Sequence, residues 1–262
     1  MKQSILFSLV FLLISGCGAA PKAPDVEINI AEIPATPTAL ASSTPPPTET
    51  FAPSPSPIRT ATTEAENVIF HDNFNGFLAE DWQWLNEDPA NWSLQTVPGS
   101  LQINVGRGFV NLNNAANILL MPAPDSNFEI ETRLTFNPGN RTHFAGLLLY
   151  ESEKNFVQAG HAYCTPVNRC VGDGLYFEAY SEGDLLKEPY AAQKFNQDSV
   201  SLRLVYKDGV ITFLSSPNGI VWYRISEGKV KLNILQVGLV TGQNLKVAAP
   251  VLFDYFQIKS LK

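Results

Sequence analysis

The sequence predicts an all-β fold, a two-sheet antiparallel β-sandwich carried behind a disordered N-terminal linker. Three observations lead there. After Asn67 no window repeats apolar residues at intervals of three and four, so the helical signature is missing. Short alternating or apolar runs recur instead, separated by Gly, Pro, Asn and Asp about every 8–12 residues. The 262 residues, 45% apolar and 16% charged, supply enough apolar surface for one substantial core.

In chain order, Lys2 precedes an apolar run from Ile5 to Ile14. The run is too short to span a bilayer as a mature helix and reads as a signal-peptide core, so residues 1–16 are expected to be removed. Leu13-Ile14-Ser15-Gly16-Cys17 resembles the bacterial lipobox. That resemblance implies acylation of Cys17, attachment to a lipid membrane and exposure outside the cytoplasm; an ordinary secretory signal with an incidental cysteine is the alternative. Residues 17–66 hold ten of the nineteen prolines, interleaved with Thr, Ser and Ala. Such a segment buries too little apolar surface to order itself and is expected to act as a stalk.

The domain is expected to run over residues 67–262. Phe70 to Leu94, FHDNFNGFLAEDWQWLNEDPANWSL, opens it with three of the four tryptophans. Asp72 to Gly76 reads as a tight turn, and the Asp88-Pro89 break divides Trp82 and Trp84 from Trp92, giving two short strands. Phe128 to Phe136 alternates: Phe128, Ile130, Leu134 and Phe136 are assigned to the core, and Glu129, Glu131 and Arg133 to a solvated, salt-bridged outer face. Phe144 to Tyr150 is almost continuously apolar and suits a strand covered on both faces. Further strands are expected over 155–162, 175–180, 201–206, 210–215, 221–225, 235–241 and 251–258. Lys207-Asp208-Gly209 and Pro217-Asn218-Gly219 are hairpin signals, because Asn, Asp and Gly tolerate positive φ.

Several of these segments together, WQWLNEDPANWSL with Pro98-Gly99-Ser100-Leu101, then NFEIETRLTF, FAGLLLYESEKNFV, SLRLVYKDG and SSPNGIVW, resemble the concanavalin A-like domain at the C-terminus of family 43 β-xylosidases. The resemblance covers about residues 68–258. It implies a concanavalin A-like jelly roll and a sugar-related setting. In those enzymes the domain accompanies a separate catalytic domain that these residues do not resemble, so a non-catalytic role is expected. The resemblance also suggests a structural Ca2+ ion where first and last strands meet, with Asp72 and Asp254 as carboxylate candidates.

Several chemistries are disfavoured. The net charge of −7 and the absence of a basic run argue against a nucleic-acid partner. No Gly-x-Ser-x-Gly elbow, His-Glu-x-x-His helix or P-loop occurs. With Cys17 lipidated, Cys164 and Cys170 remain and are expected to form a disulfide, closing a short loop for about 2.4 kcal/mol on the chain-entropy account; a metal site shared with His161 is the alternative. His71 and His143 read as surface or turn residues. Glu129 and Glu131 share a strand face, as a glycosidase pair would, but the adjacent Arg133 suits an ionised surface better than a general acid. Carbohydrate binding asks only for aromatic faces and a few polar groups on a rigid sheet. Trp82, Trp84, Gln158, Tyr176, Glu178, Tyr180 and Arg203 are the candidates, while Trp222 is assigned to hairpin packing. A carbohydrate-binding lipoprotein is the leading reading; an envelope interaction module and a glycoside hydrolase are the alternatives.

Overall fold

The computed structural model describes residues 67–139, 142–242 and 248–262, which belong to one compact unit, Arg59–Lys262. The expected signal peptide, Cys17 and the Pro-rich linker lie outside the described residues. Short strands come first: β1 (Val68–Asp72), β2 (Gln83–Leu85), β3 (Trp92–Ser93), β4 (Leu101–Asn104) and β5 (Ile118–Pro122). Longer ones follow, β6 (Phe128–Phe136), β7 (Phe144–Tyr150), β8 (Phe156–Cys164) and β9 (Gly172–Ser181), then the brief β10 (Asp184–Leu185) and β11 (Ala191–Lys194). The last are β12 (Ser199–Lys207), β13 (Val210–Ser216), β14 (Tyr223–Lys229), β15 (Gln236–Gly242) and β16 (Pro250–Ser260).

These strands form two antiparallel sheets. Sheet I runs β14-β13-β12-β6-β16-β4-β3, with β1 also paired to β16; sheet II runs β10-β9-β8-β7-β15-β5-β2, with β11 also paired to β9. The expected two-sheet sandwich is therefore present. Between the sheets lies one apolar core, to which β6 contributes Phe128, Ile130, Leu134 and Phe136, β7 Leu147 and Leu149, β9 Leu175 and Phe177, and β16 Phe253 and Phe256. β16 keeps both its phenylalanines inside by a bulge: the register shifts between Phe253 and Tyr255, so Asp254 is the extra residue and Tyr255 and Gln257 stay on the outer side opposite Arg133 and Glu131. At the β12–β13 hairpin Asp208 and Gly209 both take positive φ, 51° and 79°, as the sequence signal requires.

Glu129 and Glu131 lie on the outer side of β6 as expected, but they are not solvated: they are 8% and 5% exposed. Arg203 of β12 pairs with them, while Arg133 turns to Asp254 at 3.5 Å. The single-strand pattern cannot supply this cover, because it comes from the neighbouring strands.

Sheet II differs from sheet I in being apolar on both faces. Its outer side carries Ile118, Leu120, Phe144, Leu148, Phe156, Tyr176 and Val240 in a second cluster with Val110 and Ala115. This double cover explains the unbroken apolar run of β7, as the sequence predicts for it. At one end the cluster is closed by the Cys164–Cys170 disulfide, whose Cα atoms are 5.3 Å apart. Within the loop it closes, Arg169 lies 5.3 Å from the Tyr190 ring centre, and the Tyr190 hydroxyl donates to Arg169 O.

Candidate functional site

The end of sheet II away from the disulfide is where the outer face opens. Cross-strand register aligns Gln236 of β15, Tyr150 of β7, Phe156 of β8, Tyr180 of β9 and Leu185 of β10 in one row. Phe156 and Tyr180 are stacked, ring centres 4.4 Å apart and 14° from parallel. One row inward stand Leu120, Gly238, Leu148, Gln158 and Glu178. Gln158 is buried, and its Nε2 donates to Glu178 Oε2 at 2.6 Å, which fixes the half-exposed carboxylate in place.

Beside this row is a pocket of about 200 Å3 lined by Gln83, Trp84, Leu85, Leu120, Tyr150 and Gln236. Two side-chain amides and a phenol stand around Leu85 and Leu120, while the Trp84 side chain lies on the alternate side of β2, against the main core. The next residue after Tyr150, Glu151, lines a larger polar cleft of about 480 Å3 together with Asn155, Glu182 and Lys231. Burial, and then the nearby Glu153, raises the Tyr150 hydroxyl pKa; burial followed by Glu178 raises that of Tyr180. Both hydroxyls therefore stay protonated and able to donate hydrogen bonds through the neutral range.

The structure brings together four of the seven sequence candidates, Gln158, Tyr176, Glu178 and Tyr180, on this one face. Tyr176, however, is 1% exposed; its hydroxyl donates to Gly172 O and accepts from Val171 N. It pins the turn before β9 and is not a contact surface. Arg203 is a correction of a different kind: it lies on β12 of the other sheet, facing away from this row. Trp82 is buried in the main core, with its ring edge-on to Phe70 and Phe256, so no ligand can stack on it. Trp84 is half-exposed, but its side chain lies on the main-core side of β2, with its ring centre 4.9 Å from that of Trp92. Trp222 covers a guanidinium: its ring centre is 4.0 Å from Arg203 Cζ.

The expected Ca2+ site does not fit the residues present. Asp72 is buried, and its oxygens accept from Phe74 N at 2.8 Å, Ala79 N at 3.0 Å and Trp82 Nε1 at 2.9 Å. Three N–H donors aimed at one carboxylate occupy the space a cation would need. Asp254 faces Arg133 instead, and among the described residues no group of three or more His, Cys, Asp or Glu side chains is placed to hold a metal. His161 is likewise committed, its Nε2 2.6 Å from Asp173 Oδ1, and both cysteines are in the disulfide. His143, expected as a surface or turn residue, lies in the connection just before β7 but is buried there, with its Nδ1 2.6 Å from Pro138 O.

Gln83, Tyr150, Phe156 and Gln236 were not among the sequence candidates. Tyr150 carries the one usable signal, as the hydroxyl-bearing end of an apolar strand. Gln83 sits in a strand of three residues, too short to assign to a face, and Gln236 begins a strand buried on both faces, whose sides are told apart only by its register with β5 and β7.

Residues 71–259 match the family described as the beta xylosidase C-terminal concanavalin A-like domain. No curated protein matches the chain. Among solved structures the fold is similar to that of the GH43 BlXynB protein from Bacillus licheniformis, with TM-score 0.65 and 19% identity over 73% of this chain and 39% of that one. It is similar also to a Bacteroides ovatus xyloglucan PUL GH43B, TM-score 0.63, 18% identity, 73% of this chain and 39% of that one. The xylan beta-1,4-xylosidase from Bacillus halodurans gives TM-score 0.62 and 19% identity over 72% and 39%. The chain thus spans 39% of the length of each of these structures, and at such identities the likeness concerns the fold.

Proposed function

Because the chain belongs to the beta xylosidase C-terminal concanavalin A-like domain family, we propose that its sandwich binds carbohydrate without cleaving it, on a lipoprotein anchored to the bacterial envelope through acylated Cys17. The observation that carries this reading is the pocket of Gln83, Leu120, Tyr150 and Gln236 beside the Phe156–Tyr180 stack. A sugar ring presents C–H faces that pack on aromatic and aliphatic carbon, and hydroxyls that both donate and accept. Amides and phenols answer both demands without charge. Glu178, held by Gln158, adds one acceptor on the same face.

The glycosidase alternative needs a carboxyl free to donate a proton beside a second carboxylate. Glu129 and Glu131, the adjacent pair on β6, are held by Arg203, and Tyr255 donates to Glu131, which is poor support for that role. The interaction-module alternative draws on Ile220, Val221 and Tyr223, exposed next to edge strand β14.

Xylan and xyloglucan, which appear in the relatives' descriptions, are the first polysaccharides to offer. Affinity electrophoresis should show the wild-type chain retarded by one of them. Tyr150→Ala and Gln236→Ala should each weaken retention about tenfold, the equivalent of ~1.4 kcal/mol, with the fold intact by circular dichroism. A wild-type chain that migrates unretarded through both gels rules out the reading.

A further inference from the structure

The tyrosines on the outer side of sheet II are not all used in the same way. Tyr176 and Tyr190 have hydroxyls committed to the protein: the first donates to Gly172 O and accepts from Val171 N, and the second donates to Arg169 O. Tyr150 and Tyr180 do not. Neither hydroxyl has a hydrogen-bond partner among the described residues, and both side chains are half-exposed. Burial of the rings keeps both phenols protonated, so each has a proton to donate. The side-chain amides of Gln83 and Gln236, at the pocket beside them, are equally uncommitted among the described residues.

Strand order arranges these groups in a line. Tyr180 stands on β9, Tyr150 on β7, Gln236 on β15 and Gln83 on β2, in the sheet order β9-β8-β7-β15-β5-β2. The first three belong to one cross-strand row, and Gln83 pairs with Leu120 in the next. With neighbouring strands about 4.8 Å apart, Gln236 to Tyr180 covers roughly 14 Å and Gln83 to Tyr180 roughly 24 Å. A single sugar ring can meet two neighbouring groups of this line; meeting them all takes a chain. The strand spacing is also close to the advance of one pyranose unit in an extended glycan, so a chain laid across the strands stays in step with the row, one unit to a strand. Between Tyr150 and Tyr180, β8 presents Phe156, which is 1% exposed and has nothing to donate or accept. Laid along the strands instead, a chain would leave the row after one unit and run onto Leu120 and Leu148, both buried and apolar.

We propose that this face takes a linear β-1,4-linked glycan laid across the strands of sheet II, at least four units long, with Tyr180 and Tyr150 bonding alternate units and Gln236 the unit after Tyr150. The β-1,4 linkage supplies the extended backbone that the straight row requires, whereas an α-1,4-linked chain coils and departs from it. This rests on the carbohydrate reading above and adds to it the length, direction and linkage of the ligand. Tyr180 is the group that a short ligand held at the Gln83, Tyr150 and Gln236 pocket does not reach.

The test is calorimetric titration of the full chain with xylo-oligosaccharides and cello-oligosaccharides, both β-1,4-linked, and with α-1,4-linked malto-oligosaccharides, each from one unit to six. In one of the β-linked series affinity should climb about tenfold from disaccharide to tetrasaccharide, with no such climb in the α-linked series. Tyr180→Phe keeps the ring that stacks on Phe156 and removes only the hydroxyl; it should cut the ratio of tetrasaccharide to disaccharide affinity about fivefold. A mere loss of fold would lower both affinities together and leave that ratio unchanged, and the length series on the wild type decides without any variant. Affinity that stays flat beyond one unit, an equal climb for the α-linked series, or a ratio that a folded Tyr180→Phe does not alter overturns the proposal and leaves the carbohydrate reading standing. No binding at any length, with xylan and xyloglucan both failing to retard the wild type, overturns the two together.

Discussion

His161 sits on β8 with its ring among the core aromatics, edge-on to Phe136 at 5.8 Å and to Phe195 at 5.1 Å, and with Nε2 2.6 Å from Asp173 Oδ1. Burial lowers its pKa, and the attraction of Asp173 and, further off, Asp198 only partly opposes this. The folded protein therefore resists a proton that the unfolded chain accepts near pH 6.5. Stability from this residue is complete above the ordinary imidazole pKa and is lost as pH falls from there toward the lowered folded value, at no more than ~1.4 kcal/mol per pH unit. Urea unfolding at pH 7.5 and 5.0 should show a larger loss for the wild type than for His161→Leu; equal losses would refute the assignment. Asp72 shows how a residue's role escapes the sequence. Its position at the end of the first strand was legible, but a carboxylate there suits a cation or a cluster of N–H groups equally. Only the turn that brings Phe74, Ala79 and Trp82 to its oxygens decides between them.

At the level of strands, β15 shows what close packing demands. Gly238 lies between Leu120 of β5 and Leu148 of β7, and a Cβ placed on it would stand 1.9 Å from Leu119 O. The obstacle is backbone in mid-sheet, so relief requires moving a strand. Gly238→Ala should cost about 3 kcal/mol, at the upper end of ordinary overpacking. In a domain of this size that is a fall of roughly 6–12 °C in Tm. Gly209→Ala is the control, since a Cβ there meets nothing and only its φ of 79° is penalised, for about 1 kcal/mol. Equal costs for the two would disprove the steric account. The same strands show which patterns can be read in advance. β6 and β7 are legible to the residue because alternation and unbroken apolarity each have one structural meaning over seven or more positions. β10 is two residues long and exists through its pairing with β9, and β4 and β5 are four and five residues long; none leaves a period to detect.

For the molecule as a whole, the sandwich was legible because many short patterns agreed, whereas the candidate site was legible only in part. Tyr176, Glu178 and Tyr180 share a face by strand period alone, and that much follows from sequence. Joining them to Tyr150 and Gln236, and removing Arg203 to the other sheet, depends on strand order, which no local pattern encodes. Membrane attachment is a property of the opposite kind, local in sequence and independent of the sheets. The proposed anchor needs one atom, the Sγ of Cys17, following the apolar run from Ile5 to Ile14. Each buried CH2 of an acyl chain contributes ~0.8 kcal/mol, and a single chain gives only marginal binding, so stable anchoring requires more than one chain on the modified cysteine. Since no described helix is long and apolar enough to cross a membrane, the described sandwich offers no competing helical anchor. The full chain produced in a bacterial host should therefore partition into the detergent phase, and Cys17→Ser should shift it to the aqueous phase with the sugar-binding behaviour of the sandwich unaltered. Partitioning that ignores the substitution would show that the cysteine carries no lipid and would leave the envelope assignment without its support.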